Sequence, residues 1–144
     1  EFGASTPEAM EALLAPPPPD RQSYIDASER WTLWASKKYL DLAETRRRAA
    51  EDYDRSFYPE GSSRQLAAIF ATGSRADGLR SLRVPTLVIH GRDDTLITPS
   101  GDFRTAELVP GAHLLYLADM GHDMPEPLWP VLVEAVHGHL RRAR

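Results

Sequence analysis

Val84-Pro85-Thr86-Leu87-Val88-Ile89-His90-Gly91-Arg92-Asp93-Asp94-Thr95-Leu96 carries the reading of the fold. Residues 84–90 are apolar and largely β-branched, with no alternation of polar and apolar positions. A parallel strand covered on both faces has that pattern. Gly91 ends it. Thr98-Pro99 then opens a helix with Phe103, Ala106 and Val109 on its apolar side, and Pro110-Gly111 closes it. His113-Leu114-Leu115-Tyr116-Leu117 reads as a second strand, followed by a loop from Ala118 to Pro125. A last helix carries Leu128, Leu132, Val136 and Leu140 every fourth residue, with Pro127 and Pro130 confined to its start. Strand, helix, strand, helix implies a parallel pair joined by a crossover.

Upstream, the chain reads as helical. Residues 1–19 are a poor core segment. Thr6-Pro7-Glu8 caps a short helix through Leu14, and Pro16-Pro17-Pro18-Pro19 stops it, because proline lacks the amide donor. The segment is expected to be a Pro-rich exposed connector, and Glu1-Phe2-Gly3 at its start to be a cloning scar. Residues 20–54 are expected to form one helix capped by Asp20 or Ser23, with Tyr24, Ala27, Trp31, Trp34, Leu42 and Tyr53 inward and Arg46-Arg47-Arg48 on a solvated face. Residues 56–63 read as a loop. Arg64–Ala71 reads as a short helix with Leu66, Ile69 and Phe70 inward, stopped by Thr72-Gly73-Ser74. The expected organisation is a connector at 1–19, a helical region at 20–80 and a β-α-β-α unit at 81–144.

Composition bounds the function. The 144 residues are 42% hydrophobic, enough for one core, and 17 Lys+Arg against 21 Asp+Glu leave a net charge of −4. That balance argues against gripping nucleic acid or an anionic membrane by charge alone. The absence of cysteine excludes disulfides and thiolate chemistry within the chain. No apolar run approaches the ~18 residues of a membrane helix.

Ligands of open parallel sheets gather at the carboxyl ends of the strands. Gly91-Arg92-Asp93-Asp94 follows the first strand, and Met120-Gly121-His122-Asp123-Met124-Pro125 follows the second. One helix and one strand separate Asp94 from His122, so an acid and an imidazole reach the same rim on adjacent loops. A carboxylate so placed can hold a histidine in one tautomer and stabilise its imidazolium. Duller roles exist for each residue. Asp94 can cap its turn, His122 can be satisfied by backbone, Asp93 is a turn residue, Asp123 bonds local backbone, and His90 faces the core. His113 is expected to be exposed. His137 and His139 diverge on their helix and cannot share a metal comfortably. A metal set from His90, Asp93, Asp94 and His122 lacks the spacing of ligand pairs. No phosphate loop or dinucleotide glycine pattern is present, so no cofactor or metal is expected.

Residues 85–99 resemble the seventh-strand segment of α/β-hydrolases, and residues 120–125 resemble their histidine loop. The helical region resembles only the variable cap of that family. His122-Asp123-Met124-Pro125 and Ser5-Thr6-Pro7-Glu8 are similar to the aclacinomycin methylesterase type of ester hydrolase. The resemblance implies an α/β, partial α/β-hydrolase fold: a helical cap followed by β-α-β-α with two parallel strands. It implies Asp94 as triad acid and His122 as triad base. Trp31, Trp34, Tyr39 and Met124 are the candidate substrate-binding residues, and their side chains serve equally as packing.

One departure is decisive. The family's nucleophile sits in a Gly-x-Ser-x-Gly elbow before the acid. Gly61-Ser62-Ser63 and Gly73-Ser74-Arg75 do not fit it. The resemblance therefore implies part of an ester hydrolase, inactive alone, whose whole form takes a small apolar ester. A nucleophilic aspartate, as in dehalogenases and epoxide hydrolases, and a non-catalytic assembly module remain open alternatives. An uncovered apolar strand edge invites pairing, so a homodimer through paired edges or exchanged helices is expected, with no nucleic-acid or membrane partner and a cytoplasmic setting.

Overall fold

The computed structural model describes residues 2–143; Glu1, the first residue of the expected scar, and Arg144 lie outside the described residues. Two parallel strands form the centre. β1 (Leu87–Gly91) and β2 (His113–Leu117) pair in register from Leu87 opposite His113 to Gly91 opposite Leu117. Five helices precede them: α1 (Pro7–Leu14), α2 (Arg21–Ala27), α3 (Leu42–Ser56), α4 (Pro59–Thr72) and α5 (Ala76–Ser81). α6 (Ser100–Leu108) connects the strands, and α7 (Trp129–Arg142) follows them through a short 3-10 helix, Glu126–Leu128.

The second half follows the sequence closely. Its departures concern cover. Val88 and His90 are buried, whereas Leu114 and Tyr116 of β2 are 38% and 39% exposed. The cover expected on both faces of the first strand holds on the side of Val88 and His90, while Leu87 and Ile89 are only half-buried, because two strands and two helices leave much of this sheet open. In α7 only Leu132 of the expected stripe is buried, and Leu140 is 59% exposed. A repeat of four advances about 40° around a helix of 3.6 residues per turn, so the stripe winds away from the contact face.

The helical half differs more. The single helix expected over 20–54 is two helices. α2 runs into a 3-10 helix, Ser28–Leu33, and the chain from Trp34 to Asp41 is non-helical. Asp41 starts α3 by accepting a hydrogen bond from the Glu44 amide at 3.1 Å. That Asp-x-x-Glu pattern is an N-terminal capping signal. The 56–63 loop is likewise mostly helix, since Pro59 sits in the first turn of α4, where its missing N–H costs nothing. Ile69 and Phe70, expected inward, are 60% and 63% exposed. α5 is an additional short helix.

Tyr24 organises α2 and α3. Its ring lies 5.7 Å from Trp31, 5.5 Å from Tyr53 and 5.7 Å from Phe57, and Tyr53 stacks on Phe57 at 4.5 Å. Burial raises the Tyr24 phenol above its ordinary pKa. The arginine run is solvated, as expected. Arg47 and Arg48 bind Glu44 at 2.7 and 2.6 Å, while Arg46 reaches Asp26 and Glu29 and ties α3 to the segment before it. The hydrogen bonds from Arg47 and Arg48 push the Glu44 carboxyl down to about 2.

The expected connector is anchored at its beginning. Gly3, Ser5 and Thr6 donate to Ser100 Oγ, the Leu96 carbonyl and the Thr95 carbonyl, and Thr98 Oγ donates to the Ala4 carbonyl. Ala9 is completely buried. These bonds fix the segment between β1 and α6. Pro16, Pro17 and Pro19 are exposed, in keeping with the Pro-rich stop after α1.

Candidate functional site

Asp94 leaves β1 by a turn that aims its side chain inward. It is 4% exposed. Its Oδ1 accepts from the amides of Leu96 (2.9 Å) and Ile97 (2.8 Å). These two bonds hold the carboxylate plane and leave Oδ2 free. Oδ2 lies 2.7 Å from Nδ1 of His122. A carboxylate only accepts, so the shared proton belongs to the imidazole nitrogen and Nε2 is left with its lone pair. Asp94 is the main cause of a raised His122 pKa: its hydrogen bond outweighs partial burial, and the charges of Asp94, Asp102 and Asp123 act in the same direction. A neutral imidazole held this way takes a proton at Nε2 from a hydroxyl and returns it to a leaving group.

Close backbone approach makes the two loops adjacent. A Cβ on Gly91 would lie 2.3 Å from the Met120 carbonyl oxygen. Glycine there lets the chain after β1 pass against the chain after β2, and the Asp93 amide donates to Met120 at 2.9 Å.

The segment 33–39, read from sequence as the interior of a helix, docks on both loops. The His122 amide donates to the Trp34 carbonyl at 2.6 Å. Asp123 Oδ1 accepts from the Gly121 amide (3.1 Å) and the Ser36 amide (2.8 Å). Buried Ser36 donates through Oγ to the Asp119 carbonyl at 2.7 Å. Thr95 donates to the Leu33 carbonyl, and the Lys37 amide reaches Asp93 at 3.4 Å. Sequence reasoning missed Ser36 and the long-range partner of Asp123. The capping pattern at Asp41 was the available signal that a helix begins only there and that the preceding residues are free to dock.

A cavity of about 620 Å³ opens beside His122. Trp31, Trp34, Tyr39 and Met124, the four candidate binding residues, all contribute to its wall. Asp41, Glu44, Arg48 and Asp52 line it too, so one wall is charged. Met124 is 69% exposed, and its carbonyl is held by the Trp129 indole at 2.8 Å. Trp31 and Trp34 also line a second cavity of about 690 Å³, bounded by Leu14, Pro16, Phe57 and Leu66. Trp31 is therefore both a packing residue in the Tyr24 cluster and part of two cavity walls. His90 is buried and faces the core. His113 is exposed, and its ring is 6.3 Å from that of His139.

No family model matches the chain. Solved structures do. The meta-cleavage product hydrolase of Pseudomonas fluorescens IP01 superposes with a TM-score of 0.65 at 20% identity, over 99% of this chain and 54% of that one. The esterase RhEst1 of Rhodococcus sp. ECU1013 gives 0.68 at 20% identity, over 100% and 50%. An esterase of Exiguobacterium antarcticum gives 0.66 at 17% identity, over 93% and 47%. The chain spans about half the length of these relatives in structure. Helices followed by two parallel strands, matched in this way, make it a partial α/β-hydrolase fold.

Proposed function

We propose that this chain carries the acid and base of an ester hydrolase whose nucleophile lies in a portion outside it. The observation that supports this best is the 2.7 Å bond between a buried, doubly braced Asp94 and a solvent-accessible His122. In the proposed reaction a serine hydroxyl gives its proton to His122 Nε2 as its oxygen attacks the ester carbonyl. Asp94 stabilises the resulting imidazolium. His122 then returns the proton to the departing alkoxide, leaving an acyl-serine that water hydrolyses by the same route. The esterase names among the structural relatives favour this substrate class. The tryptophans and Met124 would take the apolar part of a small ester, and the Glu44–Arg48 wall a polar part.

The edge of β1 left unpaired among the described residues and the exposed Ile69, Phe70 and Val133 support completion of the fold by another chain. A second copy is the proposed occupant for the isolated chain. The rival reading, an assembly module in which Asp94 and His122 have no chemical role, rests on the same exposed surface.

Mixing the chain with a polypeptide that supplies the missing strands and serine, then assaying a chromogenic ester, separates the readings. The hydrolase reading expects no turnover from the chain alone, turnover from the mixture, and a loss of about 10³-fold or more with His122→Ala. No turnover in a mixture that forms a stable complex, or turnover unaffected by His122→Ala, favours the assembly reading.

A further inference from the structure

The proposed chemistry does not use His90, which is 6% exposed. Its Nδ1 lies 2.7 Å from Oδ2 of Asp102 on α6. Asp102, a carboxylate, can only accept there, so the contact favours a protonated Nδ1 and a fixed ring orientation. The other nitrogen, Nε2, is buried with no hydrogen-bond partner among the described residues. It stands 3.9 Å from Asp94 Oδ2, the oxygen that His122 also contacts. A buried polar atom without a partner costs free energy, and its place in the fold calls for an explanation. Four ionisable side chains therefore run in a row: Asp102, His90, Asp94, His122.

We infer that His90, braced by Asp102, is a positioning residue for the Asp94–His122 pair, facing Asp94 Oδ2 from the interior and setting how that oxygen is shared with His122. This deepens the proposed function and rests on its reading of Asp94 and His122 as a working pair. The geometry explains the choice of atoms. Leu96 and Ile97 fix Asp94 Oδ1, so only Oδ2 can respond to a change nearby. A separation of 3.9 Å exceeds a hydrogen bond, so His90 acts through its field and by occupying space. The groups facing the two rings are Asp94 in its turn, Asp102 on α6, Tyr116 opposite His90 on β2, and Asp123 beside His122.

The test is a nitrogen-resolved NMR titration of His122 in the intact chain, its His90→Gln and Asp102→Asn variants, and the double variant. His90→Gln is expected to move the His122 midpoint by about half a pH unit or more. Asp102→Asn is expected to move it as well, and to lose at least half of that effect in the His90→Gln background. If Asp102→Asn retains more than half of its effect there, Asp102 acts on His122 directly and the inference is overturned. An unchanged midpoint in His90→Gln overturns it too. Should a variant fail to fold, the unmodified chain decides: neutral His90 must carry its proton on Nδ1, and finding it on Nε2 contradicts bracing by Asp102. Ester turnover in the complementation assay reports separately. Coupling without turnover removes the functional reading and keeps this inference; turnover without coupling does the reverse.

Discussion

Asp94 gains its influence from where its two oxygens are spent. One is satisfied by backbone, and the other meets an imidazole that is 44% exposed. The His122 pKa lies above its ordinary 6.5 in the folded chain. Its contribution to stability is therefore full below about pH 6.5 and lost as pH rises through the raised folded value. Asp94→Asn removes that contribution. The difference in denaturation midpoint between the chain and Asp94→Asn is expected to be widest between about pH 5 and 6.5 and to narrow above it. A difference that grows toward alkaline pH contradicts the assignment. Gly121 makes a second prediction at this scale. A Cβ there would lie 2.2 Å from the Trp34 carbonyl oxygen and 2.5 Å from the Ala35 carbonyl carbon. Gly121→Ala is expected to cost about 1–3 kcal/mol in chemical denaturation. It should also expose the His122 amide to hydrogen exchange, because the bond to Trp34 must open.

At the scale of elements, the histidine loop is held by a segment some eighty residues earlier in the chain. Asp123 accepts two amide bonds there, one from its own loop and one from Ser36. Asp123→Ala strands both donors and is expected to destabilise by about 1–3 kcal/mol, whereas Asp123→Asn keeps an accepting oxygen and should cost less than half as much. Equal losses in the two variants would show that charge, not amide capture, holds the loop. The sequence made β1, α6, β2 and α7 legible because each has a local pattern bounded by Pro or Gly. It also brought Asp94 and His122 to one rim, since a parallel pair allows little else. It did not show the docking of residues 33–39. Tyr24, Trp31, Trp34 and Tyr53 fall near helical spacing whether or not the helix is continuous, and the break at Trp34 is stabilised by long-range bonds to Asp119, His122 and Asp123. The outward turn of Ile69 and Phe70 was hidden for a related reason, since periodicity gives a face without saying what lies opposite.

For the whole molecule, the sheet has two strands among the described residues where an α/β-hydrolase has more, and large side chains such as Phe70, Val133 and Leu140 are exposed. Exposed apolar side chains of this kind are the basis of the proposed dimer. Light scattering after size exclusion is expected to give twice the mass of 16.1 kDa at micromolar concentration, and addition of the complementing half should replace that dimer with a one-to-one complex. A monomer across the concentration range contradicts the proposed dimer while leaving the site geometry intact.

The most direct test of the central claim is the proton on the His122 ring. Nitrogen-resolved spectra of the chain are expected to show neutral His122 protonated at Nδ1, with a midpoint above 6.5 that falls in Asp94→Asn. A neutral ring protonated at Nε2, or a midpoint indifferent to Asp94→Asn, contradicts the account.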